Sequence, residues 1–250
     1  MATSEALDAL IIAAPVSAHR EVLEAALVAG LPVLCEKPLV APDELDRVGE
    51  LLDRFLQSGL LLMEHCQWPL TLSALTQLHP GFEGGAIDRV ELMICPGARG
   101  RQMIEDSLSH LLSLVQALVP VDETTVLRGV EFTTHATEAA SQAVTMELEG
   151  PMPSLVARLL LEHRLEQPRP AWLAVNGRRM DREIELPGYK ISFTDGDRSI
   201  PVSDPAAALV YCFVQFLIDP DEQRIRKTSD DIRQRARLYA SVLDVYSAGV

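Results

Sequence analysis

The chain has 250 residues, 48% of them hydrophobic and 23% charged, which is enough apolar material for one large core or two smaller ones. Its net charge of -14 argues against nucleic acid or an anionic membrane surface as a partner. No window approaches the roughly 18–20 apolar residues that a membrane-spanning helix needs, the N-terminus carries no signal-peptide pattern, and the four cysteines show no CxxC or framework spacing, so a cytoplasmic protein with reduced thiols is expected.

The first 65 residues alternate between short apolar runs and helical patterns. Residues 7–14 form a nearly continuous apolar run, the signature of a strand buried on both faces of a parallel sheet. Residues 18–29 place Val22, Ala25, Ala26 and Ala29 on one helical face, with Gly30 where a C-terminal cap belongs. Residues 31–35 predict a second strand. Pro42 can open a further helix, whose buried stripe is Leu45, Val48, Leu51, Leu52 and Phe55, and Gly59 stops it. Residues 60–63 give a third strand. This β-α-β-α-β order predicts parallel strands with right-handed crossovers, half of a doubly wound α/β domain.

From about residue 85 the pattern changes. Residues 87–95, 125–134, 140–148, 154–162, 171–175 and 182–186 are strand candidates, several separated by short turns such as Asn176-Gly177. They predict a mostly antiparallel sheet. A helix is expected at residues 106–119, and helices at 204–218 and 229–247 close the chain. The boundary between the two parts falls near residues 66–80.

The segment with most chemical content is Glu36-Lys37-Pro38, directly after the second strand, at the carboxyl edge where α/β sheets bind ligands. Pro38 restrains Lys37 toward an extended conformation, and a partly desolvated lysine there can hydrogen-bond or protonate a developing alkoxide. Asp106 and His110 stand four apart, so one helical face can show both to one ligand, with His110 as acid or base and Asp106 tuning it; Asp106 also reads as a helix N-cap. Glu64-His65-Cys66 argues against a metal site, because consecutive residues on an extended segment point to alternate faces. His79, His135 and His163 read as structural or solvated. Trp68-Pro69 reads as lining the domain junction, and Arg99 and Arg101 as loop arginines able to meet an anionic substrate.

Residues 8–38 contain a strand ending in Ala-Ala-Pro15, then His19 four residues on, a helix ending in Ala-Gly30, and a strand ending in Glu36-Lys37-Pro38. This pattern resembles the second half of the Rossmann domain of the Gfo/Idh/MocA oxidoreductases. Weaker similarity runs on through the Asp106-x-x-x-His110 helix start, an open antiparallel sheet and a closing helix ending in Tyr246-Ser247-Ala-Gly249. The resemblance implies a partial Rossmann-like domain over residues 1–66 and a substrate and oligomerisation domain over residues 67–250. It implies Lys37, Asp106 and His110 as the catalytic set, and Pro15, His19 and Glu36 beside an NAD(P) cofactor. The family's Gly-x-Gly-x-x-Gly turn has no counterpart here, so the chain reads as N-terminally truncated, and the NAD(P) pyrophosphate lacks its usual cradle.

Three functions follow as expectations. One is an NAD(P)-dependent oxidoreductase acting on a small hydroxyl, carbonyl or imine substrate. Another is a cofactor-independent isomerase, lyase or cyclase using the same Lys, Asp and His. The third is a non-catalytic assembly protein. The unpaired edge of an apolar first strand predicts a homo-oligomer, or a partner chain that covers it.

Overall fold

The computed structural model describes residues 7–82, 85–134 and 140–248; His135, Gly84 and Gly249 lie outside them. The first part is a small parallel sheet of β1 (Leu10–Ile12), β2 (Val33–Cys35) and β3 (Leu62–Glu64) in the order β1-β2-β3. Helix α1 (His19–Ala29) joins the first two strands and α2 (Val48–Gln57) the next two, each entered through a 3-10 turn, Val16–Ala18 and Pro42–Arg47. Gly30 ends α1 in the left-handed region at φ 69, as its position predicted.

Two local expectations change. The first strand is three residues long rather than eight, because only β2 pairs with it, and Ile11 is 51% exposed on its outer face. The buried face of α1 is His19, Leu23 and Ala26, while Ala25 and Ala29 are exposed. His19 sets that phase, since its ring is pinned beneath the sheet edge, and the larger Leu23 follows it inward. In α2 the predicted stripe of Val48, Leu51, Leu52 and Phe55 is buried, and Leu45 sits in the preceding 3-10 turn, packed against the same core.

The second part is an eight-stranded sheet. Before it comes α3 (Leu72–Leu78), a helix in the stretch expected to be a boundary; a 3-10 turn, Trp68–Thr71, leads into it, and Ala74, Leu75 and Leu78 anchor it to the large core. The strands are β4 (Arg89–Ile94), β5 (Val126–Thr134), β6 (Ser141–Glu149), β7 (Leu155–Glu162), β8 (Ala171–Val175), β9 (Arg178–Glu185), β10 (Lys190–Thr194) and β11 (Ser199–Val202). Their order is β11-β10-β9-β8-β4-β7-β6-β5, and every pair is antiparallel except β4 with β7. The Asn176-Gly177 turn has φ 48 and φ 76, the double left-handed geometry of a two-residue hairpin, so β9 starts at Arg178, earlier than expected. The last two strands escaped prediction because only Ile191 and Phe193 mark an apolar alternation among polar neighbours.

The helix expected at residues 106–119 is two pieces, α4 (Arg101–Glu105) and α5 (Leu108–Leu118), with Ser107 at φ -121 between them. Asp106 therefore sits in a break and not on the first turn of the helix that carries His110. The closing helices are α6 (Pro205–Ile218) and α7 (Glu222–Ala248). One face of the large sheet packs on α3, α5 and α7, which together form the main core. The small sheet buries one face under α1 and α2, with Ile232 of α7 joining them. Its other face, Leu34, Leu61 and Met63, is covered by Leu209 and Phe213 of α6. The two sheets thus share α7.

Candidate active site

The carboxyl ends of β1, β2 and β3 form one edge. The ladder continues one residue past the strands, with Glu36 N–H donating to Ile12 O at 2.9 Å and His65 N–H to Cys35 O at 2.7 Å. Glu36 and His65 are thereby side by side, and His65 Nδ1 lies 3.1 Å from Glu36 Oε1. His19 is 1% exposed. Its Nδ1 is 3.0 Å from Pro38 O and its Nε2 is 2.9 Å from Ala14 O, so it ties the loop after β1 to the loop after β2. The ring of His19 is spent on these two carbonyls, whereas Pro15 is exposed and Glu36 and Lys37 are half-buried. Of the three residues expected beside a cofactor, Pro15 and Glu36 face open space and His19 holds the loops that present them.

Lys37 reaches across to the second part, where its Nζ donates a hydrogen bond to the backbone carbonyl of Asp106. That contact brings the Glu36-Lys37-Pro38 loop against the break between α4 and α5, one turn before His110. The three residues expected to act together are in one place. They are not arranged as a helical i, i+4 pair, because the backbone breaks between Asp106 and His110, and no hydrogen bond joins the Asp106 carboxylate to the His110 ring.

The electrostatics of the three differ. His110 is held well below its ordinary value, first by burial and then by the positive charge of Lys37, with His65, Arg182 and Arg235 adding to it. Its Nδ1 is shut off from solvent and has no partner. Asp106 is pushed up by burial, an effect that Lys37 opposes and Glu105 reinforces. At neutral pH His110 is therefore a neutral imidazole beside a lysine, competent to take a proton.

A buried network that sequence reasoning missed supports this edge. Glu64, at the end of β3, is 8% exposed, and so is Arg235 of α7. Arg235 Nε donates to Glu64 Oε2 at 2.5 Å, the Leu39 N–H donates to Glu64 Oε1 at 3.0 Å, and Arg235 Nη1 donates to Gln116 Oε1 on α5. The residue that follows Pro38 is thus tied through Glu64 to both long helices. A signal existed: Arg235 falls on the helical face of Ile232, Leu238, Tyr239 and Val242, where a lone arginine calls for a buried acid. Cys66 lies against Glu64, its Sγ 3.6 Å from Oε2, and burial pushes its thiol up to about 12, so it is not a nucleophile.

Other expectations resolve simply. No group of three or more His, Cys, Asp or Glu able to hold a metal occurs among the described residues. Trp68 is 3% exposed and meets Phe193 edge to face at 6.4 Å, at the junction of the two parts. Arg99 is exposed, and Arg101 pairs with Glu105 at 2.6 Å and Ser247 Oγ at 3.0 Å, away from His110. His79 Nε2 lies 2.9 Å from Arg179 O, and His163 Nδ1 lies 3.1 Å from Ala98 O. Among the described residues no helix is long and apolar enough to cross a membrane.

Comparisons with known proteins agree with this architecture. Residues 1–64 match the model of the Gfo/Idh/MocA family, described as an oxidoreductase family with an NAD-binding Rossmann fold. The chain is 31% identical over 138 residues to an inositol 2-dehydrogenase of Streptomyces avermitilis, covering 49% of this chain and 38% of that protein. It is 55% identical over 64 residues to an inositol 2-dehydrogenase of Leifsonia xyli, covering 23% of this chain and 19% of that protein. The chain thus spans well under half the length of these curated relatives. KijD10, a 3-ketoreductase from Actinomadura kijaniata solved in complex with NADP, superposes with a TM-score of 0.65 at 19% identity, over 97% of this chain and 79% of that one. With its parallel Glu-Lys-Pro edge set against an open antiparallel sheet, this chain is similar to the Gfo/Idh/MocA oxidoreductases, by sequence over residues 1–64 and by fold over nearly its whole length.

Proposed function

We propose that the chain is an NAD(P)-dependent oxidoreductase acting on a small hydroxyl, carbonyl or imine substrate held between the small sheet and the α4–α5 break. The observation that carries the reading is the meeting of Lys37 with the Asp106–His110 segment, where a lysine ammonium and a neutral imidazole stand together. The residues present fit the nicotinamide end of the cofactor. Pro15 and Glu36 line the exposed carboxyl edge, and the unpartnered His110 Nδ1 marks a polar group left for a ligand. Bound there, the nicotinamide would supply the hydride acceptor or donor.

The chain's own residues do the rest. Oxidation of a secondary alcohol releases one proton from oxygen as its carbon gives up a hydride. His110 takes that proton, and Lys37 holds the oxygen while negative charge develops on it. In the reverse direction the protonated His110 returns the proton and Lys37 polarises the carbonyl. Asp106 acts through its backbone carbonyl, which fixes the Lys37 ammonium, and His19 acts as a positioning residue for the loop.

The names of the relatives point to polyols and sugars, and inositols are the first substrates to assay. A homo-oligomer belongs to the same reading. On the open face of the large sheet Met93, Leu160 and Trp172 are register neighbours in adjacent strands, an apolar row with no helix over it. A cytoplasmic location is supported by four free cysteines, three of them buried.

The test is a titration of the chain with NADH and NADPH, followed by nicotinamide fluorescence, and then turnover of inositols in the dinucleotide that binds. Micromolar binding, with turnover lowered roughly 10²–10⁴-fold in Lys37→Met and His110→Asn, is expected. No binding up to millimolar dinucleotide sinks the reading for this chain.

A further inference from the structure

In the second part of the chain two arginines, Arg169 and Arg182, lack acidic partners among the described residues. Arg182 projects from β9, its guanidinium 5.6 Å from the centre of the Trp68 ring, and its Nη2 donates to Arg169 O at 2.9 Å. Arg169 follows the β7–β8 loop, and its guanidinium is packed so closely over Gly97 that a Cβ there would lie 3.1 Å from Nη2. The Nε atoms of both side chains are shut off from solvent and make no hydrogen bond. Neither arginine belongs to an ion pair among the described residues, although the chain has 36 acidic residues against 22 lysines and arginines.

That is an unusual state for two adjacent guanidinium groups. A buried N–H without a partner is a standing cost, larger when the group is charged. In an acidic chain, carboxylates are abundant, and the buried Arg235 has one in Glu64. Arg182, though not Arg169, lines a small cavity of about 120 Å3 together with Gln67, Trp68, Thr71, Tyr189 and Asp204, among others. Asp204, the acid on that wall, is occupied as the N-cap of α6, its Oδ1 accepting from Ala206 N at 2.9 Å. Gln67, Thr71 and Tyr189 are neutral. The nearby Cys95 feels the carboxylate of Glu162 as well as Arg164, Arg182 and Arg169. Arg182 is also close enough to His110 for its charge to act on that ring.

We propose that Arg182, backed by Arg169, is the anchor for an anionic group on the substrate, so that the site takes a polyol or sugar bearing a carboxylate or phosphate in preference to a neutral one. With Nε shut off from solvent and Nη2 donating to Arg169 O, the outer end of the Arg182 guanidinium is the part left to donate to a carboxylate or phosphate oxygen. Trp68 holds the guanidinium plane from behind and keeps water off it. With the anion at Arg182, the reacting carbon would have to reach His110, on whose ring the charge of Arg182 already acts. The proposal deepens the oxidoreductase reading, and rests on it only for what happens at His110; the anchoring itself does not need a cofactor.

The experiment is calorimetric titration of the full chain, without dinucleotide, with D-glucuronate, D-glucose 6-phosphate and D-glucose. The expected result is that at least one anion binds roughly ten- to a hundredfold more tightly than glucose. Arg182→Met abolishes that preference and leaves glucose affinity within about twofold. Whichever of glucuronate and glucose 6-phosphate binds more tightly identifies the carboxylate or the phosphate as the natural group. Arg169→Met, further from the ring stack, lowers the same preference less. Should Arg182→Met fail to fold, the wild-type chain still decides, because raising salt from about 20 to 200 mM must weaken the anion and spare glucose. Equal affinity for glucose and both anions, or no binding by any of the three up to about 10 mM, overturns the proposal. Neither outcome bears on dinucleotide binding, and a chain that binds an anion but no NADH or NADPH keeps this anchor and loses the redox reading.

Discussion

His110 carries the sharpest consequence at the scale of single residues. Its ring is held neutral by burial and by Lys37, so its folded value lies below the 6.5 of an ordinary histidine. In the unfolded chain the ring titrates near 6.5. As pH falls through 6.5 the unfolded state takes up a proton that the folded state refuses, so stability present above 6.5 is lost below it. NMR of the imidazole nitrogens should show His110 titrating well below an ordinary histidine, and Lys37→Met should move its titration upward by removing one of the depressing charges. A His110 that titrates at 6.5 in both proteins would mean that neither burial nor Lys37 acts on the ring. Lys37 and Pro15 could be placed on the loops after β2 and β1 because a loop at the carboxyl edge of a parallel sheet leaves its mark in a sequence, and His110 was singled out by its spacing from Asp106. Glu64, Arg235, Arg169 and Arg182 were not, since their meaning lies in partners far away along the chain, or in having none.

Strands and helices tell a similar story. The helical stripe of α2 and the hairpin at Asn176-Gly177 were readable because each is set within a few residues. The break between α4 and α5 was not, because Ser107 leaves the helical region in a segment whose composition favours one continuous helix. The bond between elements that is most open to test is the Glu64–Arg235 pair joining β3 to α7. Removing either partner leaves the other charged and buried, so Glu64→Met or Arg235→Met alone should cost about 3–5 kcal/mol in urea denaturation. The double variant Glu64→Met with Arg235→Met should recover most of that loss. A double variant no more stable than the worse single one would mean that the hydrogen bonds to Leu39 and Gln116 matter more than the charge pair.

Across the whole molecule, helices are concentrated on one face of the eight-stranded sheet, and the opposite face is left with the Met93, Leu160 and Trp172 row. Arg179 lies 4.3 Å over the Trp172 ring and covers part of it. An apolar row in the middle of a polar face is the pattern of an interface core with its rim. Sedimentation velocity at micromolar protein should show a dimer or larger, and Met93→Arg should shift the population to monomer with its melting temperature nearly unchanged. A wild-type monomer at those concentrations would leave the open face without a partner of its own kind.

The seat of α6 on the small sheet has a consequence for how the chain is born. Leu34, Leu61 and Met63 wait for Leu209 and Phe213, which are synthesised on the order of ten seconds later. During that interval the early strands present a bare apolar sheet face at the ribosome exit. The nascent chain is thus a natural client for a chaperone that shields hydrophobic surface, and it acquires its finished active-site edge only when nearly all of it has been made.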